Sequence, residues 1–321
     1  VNDLIEISQG RSLTLTQDIT AETALGLWLA GFPSDNTKRA YKYELKAFAS
    51  FVKAGDLADA IRWFLALDDG QARAVVAAWR QNKLKEGLSP SSINRSLFAL
   101  NSFVTAARGF GATELRLEIK GEATQAYRDT RGPGVANVRK MIKAAGEHKN
   151  PNKAARDVAI LLLGFGLGLR RGEIASLNVG HVDLNGTLSI MGKGRSERET
   201  LTLPAGVVRD ALAAWLALRG DDAADAPLFI SLSTPPTHTR LSGSAIHKIV
   251  RKLGEEIGII ARPHGLRHSA ITAALDVFGG DFRKVGKFSR HLDIKTILRY
   301  DDNRADHGGQ VAAALSAIVA D

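Results

Sequence analysis

From Thr20 to about Gly111, apolar residues recur at spacings of three and four, the period of helices that bury one face. The clearest stripe is Thr37, Tyr41, Leu45, Phe48 and Val52, with Lys38, Arg39, Lys42 and Lys46 lying off it. This predicts a helix with an apolar inner face and a basic outer one, capped by Ser34 or Asp35 and stopped at Gly55. A second helix is expected over Asp69 to Glu86, ending at Gly87. A third starts at Ser89-Pro90, where proline suits the first helical turn, and directs Ile93, Leu97, Leu100 and Phe103 inward. Its first turns expose Ser91, Ser92, Asn94 and Arg95, a face that also reads as ordinary solvated surface.

The period lapses between Gly109 and Gly134, where Gly109, Gly111, Gly121, Gly132 and Pro133 predict an interdomain linker with a short strand at Leu115 to Ile119. Helical spacing resumes over Val135 to Ala145 and Asn152 to Leu167. It then changes to a period of two in Thr187 to Met191 and Thr200 to Leu203, which predicts two strands joined by Gly192-Lys193-Gly194-Arg195-Ser196. Lys193 therefore belongs to a hairpin loop. From Ala205 the chain is again mainly helical, broken at Pro235-Pro236 and closed by an alanine-rich helix from about Gln310 to Val319. The expected organisation is a mainly α protein with a small antiparallel β-sheet in its C-terminal domain. Its parts are an extension over 1–19, a helical domain over 20–111, a linker over 112–134 and a second domain over 135–321.

Composition narrows the class. At 321 residues and 45% hydrophobic, the chain can bury a sizeable core and favours two domains. Its best apolar run, Val158 to Leu169, stops at Arg170-Arg171, short of the roughly 18 residues of a membrane span, so no membrane partner is expected. Val1 to Thr20 has neither a basic start nor an apolar signal core, and cysteine is absent, so no disulfide framework or thiolate metal site is expected and a cytoplasmic location fits best. The net charge of +9 suits a polyanionic partner and by itself does not choose between nucleic acid and an acidic membrane. Residues 1–129 hold 16 Lys+Arg against 15 Asp+Glu, and residues 130–321 hold 27 against 19, so the second part carries +8 of the excess.

In that basic part Arg170, Lys193, His264-x-x-Arg267, His291 and Tyr300 follow one another. Guanidiniums hold a phosphate through paired charge-assisted hydrogen bonds, lysine and histidine move protons, and a phenol can attack phosphorus. The ordered set points to DNA cleavage through a phosphotyrosine. Each member alone has a plainer reading: Arg170-Arg171 as a charged helix end, Tyr300 as a core or surface aromatic. His264-x-x-Arg267 places two side chains on one helix face, which suits an anion but not zinc, because arginine is no ligand. Gly186-x5-Gly192-Lys193 has the wrong spacing for a P-loop and Gly194 where Ser or Thr is needed.

The ordered residues resemble the tyrosine recombinase or phage integrase family, which includes Cre and the Xer recombinases, from about residue 20 onward. Gly168-Leu169-Arg170-Arg171-Gly172-Glu173-Ile174-Ala175-Ser176-Leu177 is similar to the family's first arginine box, with Glu173 the acidic companion of Arg170. Met191-Gly192-Lys193-Gly194 resembles the catalytic lysine loop, and His264-Gly265-Leu266-Arg267-His268-Ser269 the second box. Ser289-Arg290-His291-Leu292 through Arg299-Tyr300 resembles the last, with Arg290 standing where the family usually has glycine, a substitution expected to crowd or recharge the phosphate pocket. Asn36 to Tyr41 and Ser89 to Phe103 resemble the helical, SAM-like core-binding domain. The resemblance implies a two-domain C-shaped clamp on double-stranded DNA and a site-specific recombinase that works as a homotetramer on two duplexes. It implies a 3′-phosphotyrosyl intermediate formed without metal, ATP or other cofactor. Arg170, Arg267 and His291 would then stabilise the phosphate, His264 would act as base, Lys193 as acid and Tyr300 as nucleophile. Lys38, Arg39, Lys42, Ser91, Ser92 and Arg95 are the expected DNA contacts. Relaxation of DNA in the manner of a type IB topoisomerase, or non-catalytic DNA-binding regulation, are the alternatives.

Overall fold

The structure is a computed structural model, and it describes residues 5–7, 13–15, 19–123, 132–192, 197–220, 223–232, 239–291, 297 and 307–320. The chain divides into two compact units, Val1–Ala126 and Tyr127–Asp321.

In the first unit a short antiparallel pair, β1 (Ile5–Ile7) and β2 (Leu13–Leu15), precedes helices α1 (Ala21–Ala30), α2 (Asp35–Phe51), α3 (Leu57–Leu65), α4 (Asp69–Lys85) and α5 (Pro90–Gly109). The helices close around Trp28, Leu45, Phe48, Phe64, Trp79, Leu97 and Phe103, whose edge-to-face ring contacts fill the centre. Ile93, Leu97, Leu100 and Phe103 of α5 are buried at the helical spacing that the pattern demands. Helix α4 begins with a capping box in which the Asp68 side chain accepts from Gln71 N and the Gln71 side chain accepts from Asp68 N. Ser34 occupies the N-cap position of α2 without a side-chain bond, and the helix ends at Phe51, with Lys53 turning left-handed two residues before Gly55.

The segment after α5 differs from a free tether. Leu115 and Leu117 are buried in the core of the first unit, and Asn94 bonds both the N–H and the carbonyl of Glu122. Residues 115–119 belong to no strand, so the expected short strand is replaced by anchorage of alternate leucines.

The second unit is built on α7 (Pro151–Gly166), which buries Ala159 to Leu163 between α6 (Gly134–Gly146), α9 (Val207–Arg219) and α11 (Pro263–Val277). Against this body lies the antiparallel sheet of β3 (Val182–Asp183), β4 (Thr187–Met191) and β5 (Arg198–Thr202), paired from Thr187 opposite Thr202 to Met191 opposite Arg198. Leu188 and Ile190 are buried on one face of β4, the period of two. The unit also contains α8 (Arg171–Ala175), α10 (Gly243–Glu256), α12 (Phe282–Ser289) and α13 (His307–Ala320). The chain is thus mainly α with a small antiparallel sheet in its C-terminal part.

Candidate active site

Three helix ends of the second unit meet around Arg267. Gly168, with φ +58°, turns the chain from α7 into α8; a Cβ there would lie 3.1 Å from Cζ of Phe288, so the turn needs glycine in both conformation and space. The turn places Arg170 just ahead of α8 and Glu173 one turn further on. Glu173 is buried, its Oε2 accepts from the Arg170 backbone N–H at 2.8 Å, and its Oε1 accepts from Arg170 Nη1 at 2.9 Å. The carboxylate so fixes a guanidinium whose side chain remains 31% exposed.

Helix α11 brings in His264 and Arg267, three apart and therefore on one face. Arg267 is 0% exposed, and its guanidinium donates to the carbonyls of Gly168 and Ser289, tying the α7–α8 turn to the end of α12. Its Nη2 also lies 3.3 Å from Nε2 of His291, while His291 Nδ1 is 3.0 Å from Ser289 Oγ. With a guanidinium N–H facing Nε2, the neutral tautomer that satisfies both contacts carries its proton on Nδ1.

Positive charge dominates the electrostatics. Desolvation first, then Arg267, Arg170, His264 and Arg290, lower the pKa of His291 to about 4. His264 is exposed in the first turn of its helix, yet desolvation, followed by Arg267 and Arg170, also lowers its pKa. Both imidazoles are neutral near pH 7, His264 with a lone pair able to take a proton.

Of the two effects expected of Arg290, its charge is felt at the site, where, after desolvation and the other arginines, it helps lower the pKa of His291, and crowding is not. Rather than crowding the phosphate pocket, its side chain turns onto Glu173, Nη2 to Oε2 at 2.7 Å, with Nη1 3.3 Å from the Leu167 carbonyl. It does so from a left-handed backbone, φ +55° and ψ +34°, which explains why glycine suits this position.

The structure therefore brings Arg170, Glu173, His264, Arg267 and His291 together. Lys193 and Tyr300 lie outside the described residues. In the first unit Arg39 and Lys42 are exposed, Lys38, Ser91 and Ser92 are half-buried, and Arg95 is exposed at the start of α5. Arg95 Nε donates to the buried carboxylate of Glu44 at 2.6 Å, and Glu44 also accepts from Ser96 Oγ. Glu44 escaped the sequence reading although it stands beside Leu45 on the buried stripe, where an isolated carboxylate signals a hidden partner. Ser289, whose carbonyl and hydroxyl hold Arg267 and His291, carries no such signal.

Among the described residues no helix is long and apolar enough to cross a membrane, and no three metal-ligating side chains converge.

Comparison with known proteins places this arrangement. The chain is 39% identical over 291 residues to a tyrosine recombinase of Synechocystis sp., covering 88% of this chain and 91% of that protein. A tyrosine recombinase of Synechococcus elongatus is 35% identical over 325 residues, covering 99% of this chain and 100% of its own. The tyrosine recombinase XerC of Methylobacterium nodulans is 30% identical over 86% of this chain and 87% of its own. In fold, the chain is similar to the XerH site-specific recombinase bound to palindromic difH substrate, a post-cleavage complex, with a TM-score of 0.61 at 17% identity over 93% of this chain and 97% of that one. It is likewise similar to a lambda integrase dimer bound to a COC′ core site, with a TM-score of 0.63 at 14% identity over 89% of this chain and 78% of that one. The phage integrase family pattern spans residues 135–307, which include the whole arginine–histidine cluster, and the chain belongs to that family as a tyrosine-type site-specific recombinase.

Proposed function

We propose that the protein cuts and rejoins DNA strands through a 3′-phosphotyrosyl intermediate on Tyr300. The observation that carries this reading is the Glu173-held guanidinium of Arg170 beside the Arg267–His291 pair, with neutral His264 on the same site. Phosphoryl transfer demands positioning and stabilisation of charge on the non-bridging oxygens more than covalent help. Arg170 supplies the accessible donors. Arg267 joins it when the phosphate takes the place of His291 Nε2 against Nη2, and His291 donates to a phosphate oxygen once its proton sits on Nε2, with Nδ1 then accepting from Ser289 Oγ.

A phenol of ordinary pKa, about 10, must lose its proton as it attacks, and the lone pair of neutral His264 accepts it. The Tyr300 oxygen bonds to phosphorus as the bond to the 5′ oxygen breaks, and Lys193 protonates that leaving oxygen. A 5′-hydroxyl from another strand reverses the step and releases Tyr300, so the phosphoester is conserved throughout. Double-stranded DNA as partner accords with relatives described as bound to a difH substrate and a COC′ core site. Arg95, held by Glu44, and Lys38, Arg39, Lys42, Ser91 and Ser92 are the DNA contacts assigned to the first unit. Exchange between two duplexes takes four cleavages, hence a homotetramer.

The test uses a duplex selected from a randomised library by binding to the wild-type protein, then nicked beside successive phosphates so that a cleaved fragment diffuses away. Wild type is expected to leave a covalent protein–DNA adduct and Tyr300→Phe none at unchanged affinity. Adduct from Tyr300→Phe, or none from wild type at any nick, overturns the reading.

A further inference from the structure

We propose that Arg290 is a positioning residue for catalysis: it neutralises Glu173 so that Arg170 meets the DNA phosphate with its charge uncompensated. The inference rests on the reading of Arg170 as a phosphate donor. Glu173 is 2% exposed and accepts three hydrogen bonds, two from Arg170 and one from Arg290, itself 5% exposed. Seen from a phosphate, one guanidinium on one carboxylate is close to neutral, whereas two guanidiniums on that carboxylate leave one net positive charge. Because the Glu173–Arg290 pair is buried, this difference is little screened by water where it is set.

The backbone argues that the side chain is there for a reason. A left-handed conformation disfavours any residue with a Cβ, and glycine would adopt it freely. The adjoining residue is His291, so one turn at the end of α12 sends a guanidinium to Glu173 and an imidazole to Arg267. Strain kept at such a junction, with the side chain buried on the companion of an active-site arginine, marks function in preference to loop variation. The contact to Leu167 at 3.3 Å is long and is a minor tether beside the 2.7 Å ion pair.

The experiment measures adduct formation on the selected nicked duplex at saturating and limiting DNA for three variants. Arg290→Gly removes the guanidinium and relaxes the turn; Arg290→Gln keeps a donor and the left-handed residue but no charge. Both are expected to lower the saturating rate about tenfold, less than the hundredfold or more for loss of a direct donor, with DNA affinity unchanged. Arg290→Lys, which retains charge, should stay within a few-fold of wild type. The decisive comparison is Arg290→Lys against Arg290→Gln, which differ in charge while Glu173 keeps both of its hydrogen bonds to Arg170.

A role confined to bracing the fold by hydrogen bonding predicts equal rates for Arg290→Gln and Arg290→Lys, and that result overturns the proposal. So does a wild-type rate in Arg290→Gly or in Arg290→Gln. If Arg290→Gly fails to fold, Arg290→Gln against Arg290→Lys makes the same comparison on an unchanged backbone. Adduct from wild type is the control: its absence removes the proposed chemistry itself, whereas its presence with undiminished variants removes only the part given to Arg290.

Discussion

Arg267 Nη2 faces His291 Nε2 across 3.3 Å, so a permanent cation stands against the lone pair of an imidazole. Desolvation and the neighbouring arginines keep that ring neutral down to about pH 4, whereas in an unfolded chain it titrates near its ordinary value of about 6.5. Between those pH values the unfolded chain binds the extra proton. The part of folding stability linked to His291 is therefore fully present above pH 6.5, falls as the pH drops toward 4, and is lost below. Urea midpoints measured across this range should fall on acidification, and more gently in His291→Gln. Equal slopes in the two proteins would mean that His291 does not titrate as its surroundings dictate.

Lys193 has a chemical test that does not depend on where its loop lies. Lys193→Ala should slow cleavage of an ordinary phosphodiester much more than cleavage of one whose 5′ bridging oxygen is sulfur, because a thiolate leaves without a proton. Rates of adduct formation on the two substrates decide it. The same slowing on both would assign Lys193 to a phosphate or base contact.

The parts of this fold that were legible in the sequence are those in which one period fixes one buried face. Ile93, Leu97, Leu100 and Phe103 repeat every three or four residues and are all buried; Leu188 and Ile190 alternate and are both buried. Stops and anchors were harder. Helix α2 ends before Gly55 because Lys53 takes the left-handed turn, and Leu115 and Leu117 pack into a core whose opposing wall is far away in sequence. At the site, the spacing of His264 to Arg267 announced a shared helix face, and Glu173 entered only as the companion that the family resemblance gives to Arg170. The turn of Arg290 onto Glu173 was hidden, since its left-handed backbone lacks the glycine that normally advertises one.

Gly168→Ala tests how tightly the α7–α8 turn must be drawn. The substitution puts a Cβ into a left-handed conformation, a cost of about 1–2 kcal/mol, and brings it 3.1 Å from Phe288 Cζ. Because the Gly168 carbonyl accepts from Arg267, any shift of the turn also disturbs the guanidinium. Urea denaturation should show lost stability of at least that size, and adduct formation should slow at saturating DNA. Unchanged stability would mean that the turn has room to adjust.

Helix α13 offers the last test. Leu315 and Ile318 are 57% and 73% exposed, so these two apolar side chains lie largely in solvent on the single chain. If they bury against a neighbouring subunit, each contributes about 1.5–3 kcal/mol to association on full burial. Leu315→Ser with Ile318→Ser should then leave folding, single-site binding and adduct formation intact, while tetrameric complexes on paired duplexes and strand exchange are lost. Sedimentation of the protein–DNA complexes separates these outcomes from each other. Normal assembly by the double variant would free the helix from any role at a subunit interface, and loss of the folded monomer would assign it to its own unit's core.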